Sequence, residues 1–498
     1  MTVEYDLIVI GGNPVGIHAA IAATQLNARV ALVNPQSIQT NGFGHGAIYH
    51  QTLTQVGRIV QQVRDAPQFG IYSSIADSTQ QAAVPSVQLT QAMQWASAVV
   101  STCSELTAAP VLASLGIDVI AGDGEFCRLP HLGFVVNNRR LRGRAYLIAT
   151  GSRPEIPDIE GLSSISYLTP ATFWHQETVE AREKESGKTQ HLQGSWVVMG
   201  GNSLGIELAQ TLTRLNCQVT LVISESNILP EEDSEASRLI QAQLEAEGIR
   251  VLTQSPVTQV RQIENKKWVQ AGNRALEADE ILVATGQQPN IEALNLEGVG
   301  VKFSQDGVEL NEKLQTTNPR IYACGIHGGG YHPHIAEYEA SIALKNALFY
   351  PLFKVNYRGI PRTVFTEPQL ARVGLTEAQA REQYGKDVWV VRQYFKTLEK
   401  AQLLGETTGF CKFVVRRSGE ILGASIVGAQ ASELIGAIAL AMQQNIKMGA
   451  IANLPHVSPT FSEILQKTAQ EWRQQRLNHN RLLKNVLESF FHLRRNWS

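Results

Sequence analysis

Two short stretches of this chain have the residue types and spacing to hold a phosphate. Gly11-Gly12-Asn13-Pro14-Val15-Gly16 and Gly200-Gly201-Asn202-Ser203-Leu204-Gly205 each place closely spaced glycines just ahead of an Ala/Leu-rich segment. Glycine lets a backbone turn tightly and approach a pyrophosphate, and the N-terminus of a following helix offers free N–H groups and a partial positive charge. Asn13 and Asn202 both stand at the middle glycine of the G-x-G-x-x-G pattern. Asn tolerates unusual backbone angles better than most residues, so the turn is expected to survive the change.

The elements that must position these turns are themselves repeated. Residues 7–34 align without a gap on residues 196–223, so that Gly11, Gly12, Asn13, Gly16, Ile17, Leu26, Asn27 and Val30 recur as Gly200, Gly201, Asn202, Gly205, Ile206, Leu215, Asn216 and Val219. Each copy reads as an apolar β-branched strand, a glycine-rich turn, a helix and a second apolar strand, the βαβ unit of a dinucleotide-binding fold. Two copies imply two nucleotide sites. A second matched pair, YLIATGSRPEIP at 146–157 and ILVATGQQPN at 281–290, supplies a strand ending in Ala149-Thr150-Gly151 and in Ala284-Thr285-Gly286, and would close each unit. Residues 175–195 are charged and polar without apolar spacing and read as a solvated linker or surface loop. From about 356 the pattern changes to strands such as FCKFVV (410–415) and an apolar helix, ELIGAIALAMQQ (433–444), a third, α+β domain.

Composition narrows the function classes. A chain of 498 residues with a net charge of −2 and 18% charged residues has no global pull toward nucleic acid. No apolar run is expected to approach the roughly 18–20 residues of a membrane span, and a cytoplasmic location follows by default. Cys103, Cys127, Cys217, Cys324 and Cys411 include no short pair, so spacing gives neither a metal knuckle nor a local dithiol, and no metal site is assigned.

The order of segments resembles the pyridine nucleotide-disulfide oxidoreductase family, the flavoproteins that include dihydrolipoamide dehydrogenase, glutathione reductase and mercuric reductase. The stretches that carry the resemblance are GGNPVG, IATGSRP (148–154), VVMGGNSLGIELA (197–209), LVATGQQPN (282–290) and IPRTVFTEPQLARVGLTEAQA (360–380), and it extends to about residue 472. It implies an α/β homodimer with two Rossmann-like domains and a C-terminal α+β dimerisation domain. The division is an FAD-binding domain over 1–155 and 286–355, an NAD(P)-binding domain over 156–285, a dimerisation domain over 356–472, and a basic helix over 473–498. FAD would meet Gly11, Gly12, Asn13, Gly16, Asn34, Ala149, Thr150, Gly151, Gly325 and Ile326; NADH or NADPH would meet Gly200, Gly201, Asn202, Gly205, Glu207 and Gly286.

This sequence also departs from the family's pattern. Gly42 and Ala47 stand where the resemblance places the two redox cysteines, and Gln51 where it places a lysine; without thiols there is no dithiol relay. Ser458 takes the place of the catalytic histidine before Pro459 and Thr460, while Glu463 is kept and His456 lies two residues away. The acidic residue expected at the end of the second strand is Asn34, and the family's Gly-Asp is Gly325-Ile326. At the second turn Ile223 and Glu225 stand where an arginine would hold a 2′-phosphate, which favours NADH. His45, Tyr49 and His50, in the segment that replaces the disulfide, would lie near the flavin and shape a site for a quinone or another small acceptor; surface or packing roles are the alternative for each.

Beyond the family's usual end, Leu482, Leu483, Val486, Leu487, Phe490 and Phe491 recur at helical spacing, and Arg473, Arg476, Arg481, Lys484, Arg494 and Arg495 oppose only Glu488. Such a helix would pack on its own dimer, dock on a protein partner or lie peripherally on an anionic membrane surface. Two functions follow: an FAD-dependent NAD(P)H oxidoreductase that passes electrons from flavin directly to a small acceptor, or a non-catalytic structural or regulatory protein that keeps the fold and binds a partner.

Overall fold

The computed structural model describes residues 3–35, 46–72, 87–173, 194–326 and 332–497. The chain forms two compact units, residues 1–226 with 247–355, and residues 227–246 with 356–498. The expected linker at 175–195 falls almost wholly outside the described residues.

In the first unit, β1 (Tyr5–Ile10) runs into α1 (Pro14–Gln25), whose N-terminal proline lacks an N–H where none is needed, and β2 (Val30–Asn34) returns parallel to β1. α2 (Gly46–Asp65) and α3 (Leu89–Ser104) form a packed pair, followed by β3 (Ile117–Ala121) and β4 (Gly143–Ile148). The second copy comprises β5 (Ser195–Met199), α4 (Ser203–Arg214), β6 (Gln218–Val222), β7 (Arg250–Leu252) and β8 (Glu280–Val283). β9 (Ile321–Ala323) and α5 (Pro333–Leu348) complete the unit. The strands make two parallel sheets, ordered β9-β4-β1-β2-β3 and β7-β6-β5-β8. After each copy's helix an asparagine takes the left-handed conformation, Asn27 at φ 61° and Asn216 at φ 72°.

Period-two alternation decides which way each side chain of β1 faces. Leu7 and Val9 join Ala19, Ala20 and Ala23 of α1 and Ala343 and Leu344 of α5 on one side of the sheet. Ile8 and Ile10 join Phe126, Phe134 and Tyr146 on the other. A sheet covered on both faces needs continuous apolar strands, which is why these strands lack the polar alternation of a half-exposed sheet.

One expectation is corrected here. The helical run Thr90–Ser114 has the length and hydropathy of a membrane span, although only 11% of its most apolar window is buried. Its Ser and Thr residues interrupt the apolar run while lowering hydropathy far less than charges would. Met93, Ala96 and Val100 form its buried stripe, while Trp95 is half exposed.

In the second unit, β10 (Pro361–Val364), β11 (Gln369–Gly374), β12 (Val388–Tyr394), β13 (Phe410–Arg416) and β14 (Ile421–Gly428) form an antiparallel sheet ordered β10-β11-β14-β13-β12. α6 (Ala431–Gln443) and α7 (Glu463–His479) supply Ile435, Ile438, Met442, Leu465 and Trp472 to its core. The helix Ser234–Ala246 belongs to this unit, where buried Lys412 lies 3.0 Å from Asp233 and 2.7 Å from Glu377. The single helix expected over 473–498 is two: α7 ends at His479 and α8 (Arg481–Arg495) begins after Asn480. Asn478 and Asn480 favour local backbone hydrogen bonds over helix continuation, which accounts for the break.

Candidate functional site

The first glycine turn leaves the end of β1 and passes beneath Ala149-Thr150-Gly151. Gly11 has φ 129°, and a methyl there would overlap the Ala149 carbonyl; a methyl at Gly16 would overlap the Gly11 carbonyl. Asn13, however, sits at φ −79° and ψ 170°, ordinary extended backbone, so the expectation that it serves the turn through unusual angles is wrong. It serves through its side chain. Asn13 Oδ1 accepts from Val15 N and Gly16 N at 3.0 Å each, and its Nδ2 donates to the Ala149 carbonyl at 2.6 Å, capping α1 and tying it to the end of β4. The Thr150 hydroxyl above the turn is buried and has no hydrogen-bond partner among the described residues. Asn34 packs against Gly12, where only the absence of a side chain makes room for it.

The second turn repeats this plan. Gly200 has φ 121°, Asn202 Oδ1 accepts from Gly205 N at 3.0 Å, and Asn202 Nδ2 donates to the Ala284 carbonyl at 2.7 Å. Here Ile223 packs on Gly201, and the Thr285 hydroxyl donates to the Glu155 carbonyl at 3.0 Å. The Glu155 carboxylate covers Gly286.

Gly325 takes φ 62° and donates its N–H to buried Glu339 at 2.8 Å. Ile326 is fully buried in the apolar layer of the first sheet, so it is a core residue and not part of a ligand-facing surface. Beside them Cys324 is completely buried, and loss of solvent pushes its thiol far up, with the Glu339 carboxylate adding to the effect.

Of the segment that replaces the disulfide, His45 lies outside the described residues. Tyr49 directs its hydroxyl to Ser97 Oγ on α3 at 3.4 Å, a packing role. His50 reaches the second copy: its Nε2 donates to Glu207 Oε2 on α4 at 2.6 Å, with both side chains no more than 5% exposed. Sequence alone singled out both residues but not their pairing. In the second unit, His456 Nδ1 lies 3.1 Å from Ser462 Oγ, its Nε2 is buried without a hydrogen-bond partner among the described residues, and Glu463 accepts from Thr460 N at 2.9 Å as part of the start of α7. His332 and His334 meet edge to face with ring centres 6.0 Å apart.

The first turn fits a dinucleotide: its glycines leave close backbone approach, the N-terminus of α1 faces the ligand side, and Thr150 offers an unsatisfied hydroxyl. The second turn offers the same backbone with fewer open polar groups.

Comparison with known proteins agrees with this geometry. Residues 5–327 match the pyridine nucleotide-disulphide oxidoreductase family, and residues 360–469 match its dimerisation domain, which supports a homodimer. The chain is 31% identical over 449 residues to a mercuric reductase of Staphylococcus aureus, covering 88% of this chain and 77% of that one. It is 30% identical over 478 residues to a dihydrolipoyl dehydrogenase of Bacillus subtilis, covering 93% and 97%. Among solved structures, LpdA of Mycobacterium tuberculosis shares the fold with a TM-score of 0.80 at 23% identity, over 93% of this chain and 99% of that one. From the doubled turn, the closing segments and these matches, the chain belongs to the pyridine nucleotide-disulphide oxidoreductase family, whose homologues use FAD and NAD(P)H.

Proposed function

We infer that this protein is an FAD-dependent NAD(P)H oxidoreductase that delivers electrons from flavin directly to a small acceptor, a quinone, without a dithiol relay. The observation that carries this reading is the placement of its cysteines. None falls in residues 41–51; Cys217, Cys324 and Cys411 are buried, with the Cys411 thiol pushed up to about 12 by burial, and Cys103 and Cys127 lie on α3 and on the strand Gly124–Cys127. A thiol held that far above neutrality supplies almost no thiolate for exchange chemistry.

Bound FAD would supply hydride acceptance from a reduced nicotinamide and one- or two-electron release to an acceptor. The chain's own work is binding and orientation. Gly11, Gly12 and Gly16 would let the pyrophosphate approach the backbone closely beside the positive end of α1, and Thr150 would contribute its hydroxyl. Glu207 and His50 fix α2 against α4, where the second nucleotide docks. Exposed Glu225 and the absence of arginine at the end of β6 support NADH over NADPH. A cytoplasmic site of action is part of the proposal, supported by the absence of any disulfide among the described residues.

A second reading, a non-catalytic protein that keeps the fold and binds a partner, is favoured by one observation: Asn13 already occupies the Val15 and Gly16 N–H groups that a phosphate would use. The visible spectrum of freshly purified protein separates the two. Flavin bands that bleach anaerobically with NADH and recover on adding a soluble quinone are expected; a colourless protein that refuses added FAD would sink the enzyme reading.

A further inference from the structure

The family match ends at residue 469, and the chain continues into α8 with nothing described against its apolar side chains. Leu482, Val486, Phe490, Leu493 and Trp497 are 79%, 62%, 52%, 59% and 88% exposed. Their spacing of four, four, three and four residues puts them on one helical face. Lys484, Glu488, His492 and Arg495 repeat the same spacing on the opposite face, and Phe491 and Leu487 lie at the boundary. An amphipathic helix with its apolar stripe in solvent loses the hydrophobic term that normally holds such a helix in place.

We propose that α8 binds the surface of an anionic lipid bilayer, lying in the headgroup plane with this stripe immersed. Charge selects that occupant. The segment 473–498 carries six Lys and Arg residues against one Glu, while the whole chain has a net charge of −2, so positive charge is concentrated at this end. A second copy of the helix would bring like charges together, whereas an anionic leaflet complements the basic face and accepts the apolar one in the same orientation. Trp497 is an aromatic type that favours the headgroup boundary, and Phe490 and Phe491 are apolar types found on the immersed face of interfacial helices. Nothing in this depends on a bound flavin.

The test is co-flotation of the full chain with vesicles of phosphatidylcholine alone and of phosphatidylcholine mixed with phosphatidylglycerol. Binding to the mixed vesicles only, weakened by salt, is expected. Lys484→Gln with Arg495→Gln should weaken it about thirtyfold, since each basic residue contributes about fivefold near an anionic surface. Val486→Glu with Phe490→Glu should abolish it, while circular dichroism and solution mass stay those of the parent. A parent chain that ignores the mixed vesicles, or one whose binding is unchanged by the two charge removals, overturns the proposal. So does a loss of solution mass in the Val486→Glu, Phe490→Glu variant, which would assign the apolar face to a second copy.

Discussion

At the first glycine turn the Thr150 hydroxyl is buried without a partner among the described residues, whereas at the second the corresponding Thr285 donates to the Glu155 carbonyl. Asn34 ends the strand facing the first turn and brings a side chain that can hydrogen-bond; Ile223 directly follows the strand facing the second and brings only bulk. Yet the two backbones are near copies, with Gly11 at φ 129° and Gly200 at φ 121°, and both close on an Ala-Thr-Gly carbonyl through an asparagine amide. The difference teaches that a phosphate-binding shape and readiness for a ligand are separate properties. Shape comes from glycine and helix position; readiness comes from polar groups that the protein leaves unsatisfied.

The helices after the turns differ most, and they give the largest test. Glu207 of α4 is buried against His50, but its counterpart in the repeat alignment, His18 of α1, is exposed. Removing one member of a buried pair costs about 3–5 kcal/mol, because the remaining group stays out of water. Glu207→Ala should therefore lower unfolding stability by about 3 kcal/mol in urea titrations, and His18→Ala should stay within about 0.5 kcal/mol. Equal effects would break the contrast between buried, paired Glu207 and exposed His18. In a double-mutant cycle, His50→Leu combined with Glu207→Leu should cost less than the two single changes added together.

The turns themselves give the next effects. Thr150→Val removes a buried hydroxyl that has no partner, so the apo protein should be unchanged or more stable, while FAD affinity falls by about 1 kcal/mol, or about fivefold. Thr285→Val loses a hydrogen bond already made, so stability should fall by about 1 kcal/mol with FAD content unchanged. Thermal unfolding with and without FAD reads both, and a matching pair of outcomes would erase the distinction drawn between the sites. A smaller effect is expected from Asn13→Gly, which frees the Val15 and Gly16 N–H groups. It should cost a few tenths of a kcal/mol of stability and tighten FAD binding severalfold, measured by fluorescence titration. Asn202→Gly frees one such group, Gly205 N, and should change nucleotide affinity less.

Most of the fold was legible because the repeat states it twice. Matching glycines, helices and apolar strands at 7–34 and 196–223 specify two parallel βαβ units, and the change of pattern near 356 announces the antiparallel unit. The site was legible by position but not by contact. His50 and Glu207 lie 157 residues apart, one on α2 beyond the first repeat and the other on α4 inside the second, and no local pattern encodes a pairing at that separation. Asn13 was read through its backbone tolerance, when its side chain competes for the backbone N–H groups of its own helix. Ile326 was placed at the ligand because the resemblance supplied its position, but an aliphatic side chain beside a sheet turns toward the apolar layer. The break at Asn480 was not legible because the apolar positions that indicate the helix, Leu482 to Phe491, all lie beyond it.

The subtlest contrast is at the opposite end of the two sheets, where each first strand begins. Tyr5 of β1 donates its hydroxyl to Asp118 of β3, and burial, reinforced by that carboxylate, pushes the phenol up to about 12. In the second sheet Asp279 accepts from the N–H and hydroxyl of Ser195, each at 2.8 Å, and lies beside the Lys266 ammonium. Partial burial would raise that carboxyl, but the Lys266 and Ser195 hydrogen bonds outweigh it and hold it below the ordinary Asp value. The signs are therefore opposite. A raised pKa in the folded state means that the Tyr5 contribution is complete below its unfolded value of 10.0 and is lost as pH climbs toward about 12. A lowered pKa means that the Asp279 contribution is complete above its unfolded value of 3.8 and is lost as pH falls through the folded one. Melting temperatures of Tyr5→Phe and Asp279→Asn, each subtracted from the parent's across pH, isolate these groups from every other titration. The Tyr5→Phe difference should shrink only on the alkaline side and the Asp279→Asn difference only on the acid side; differences that shrink on the same side would show that the strand starts do not titrate as their surroundings dictate.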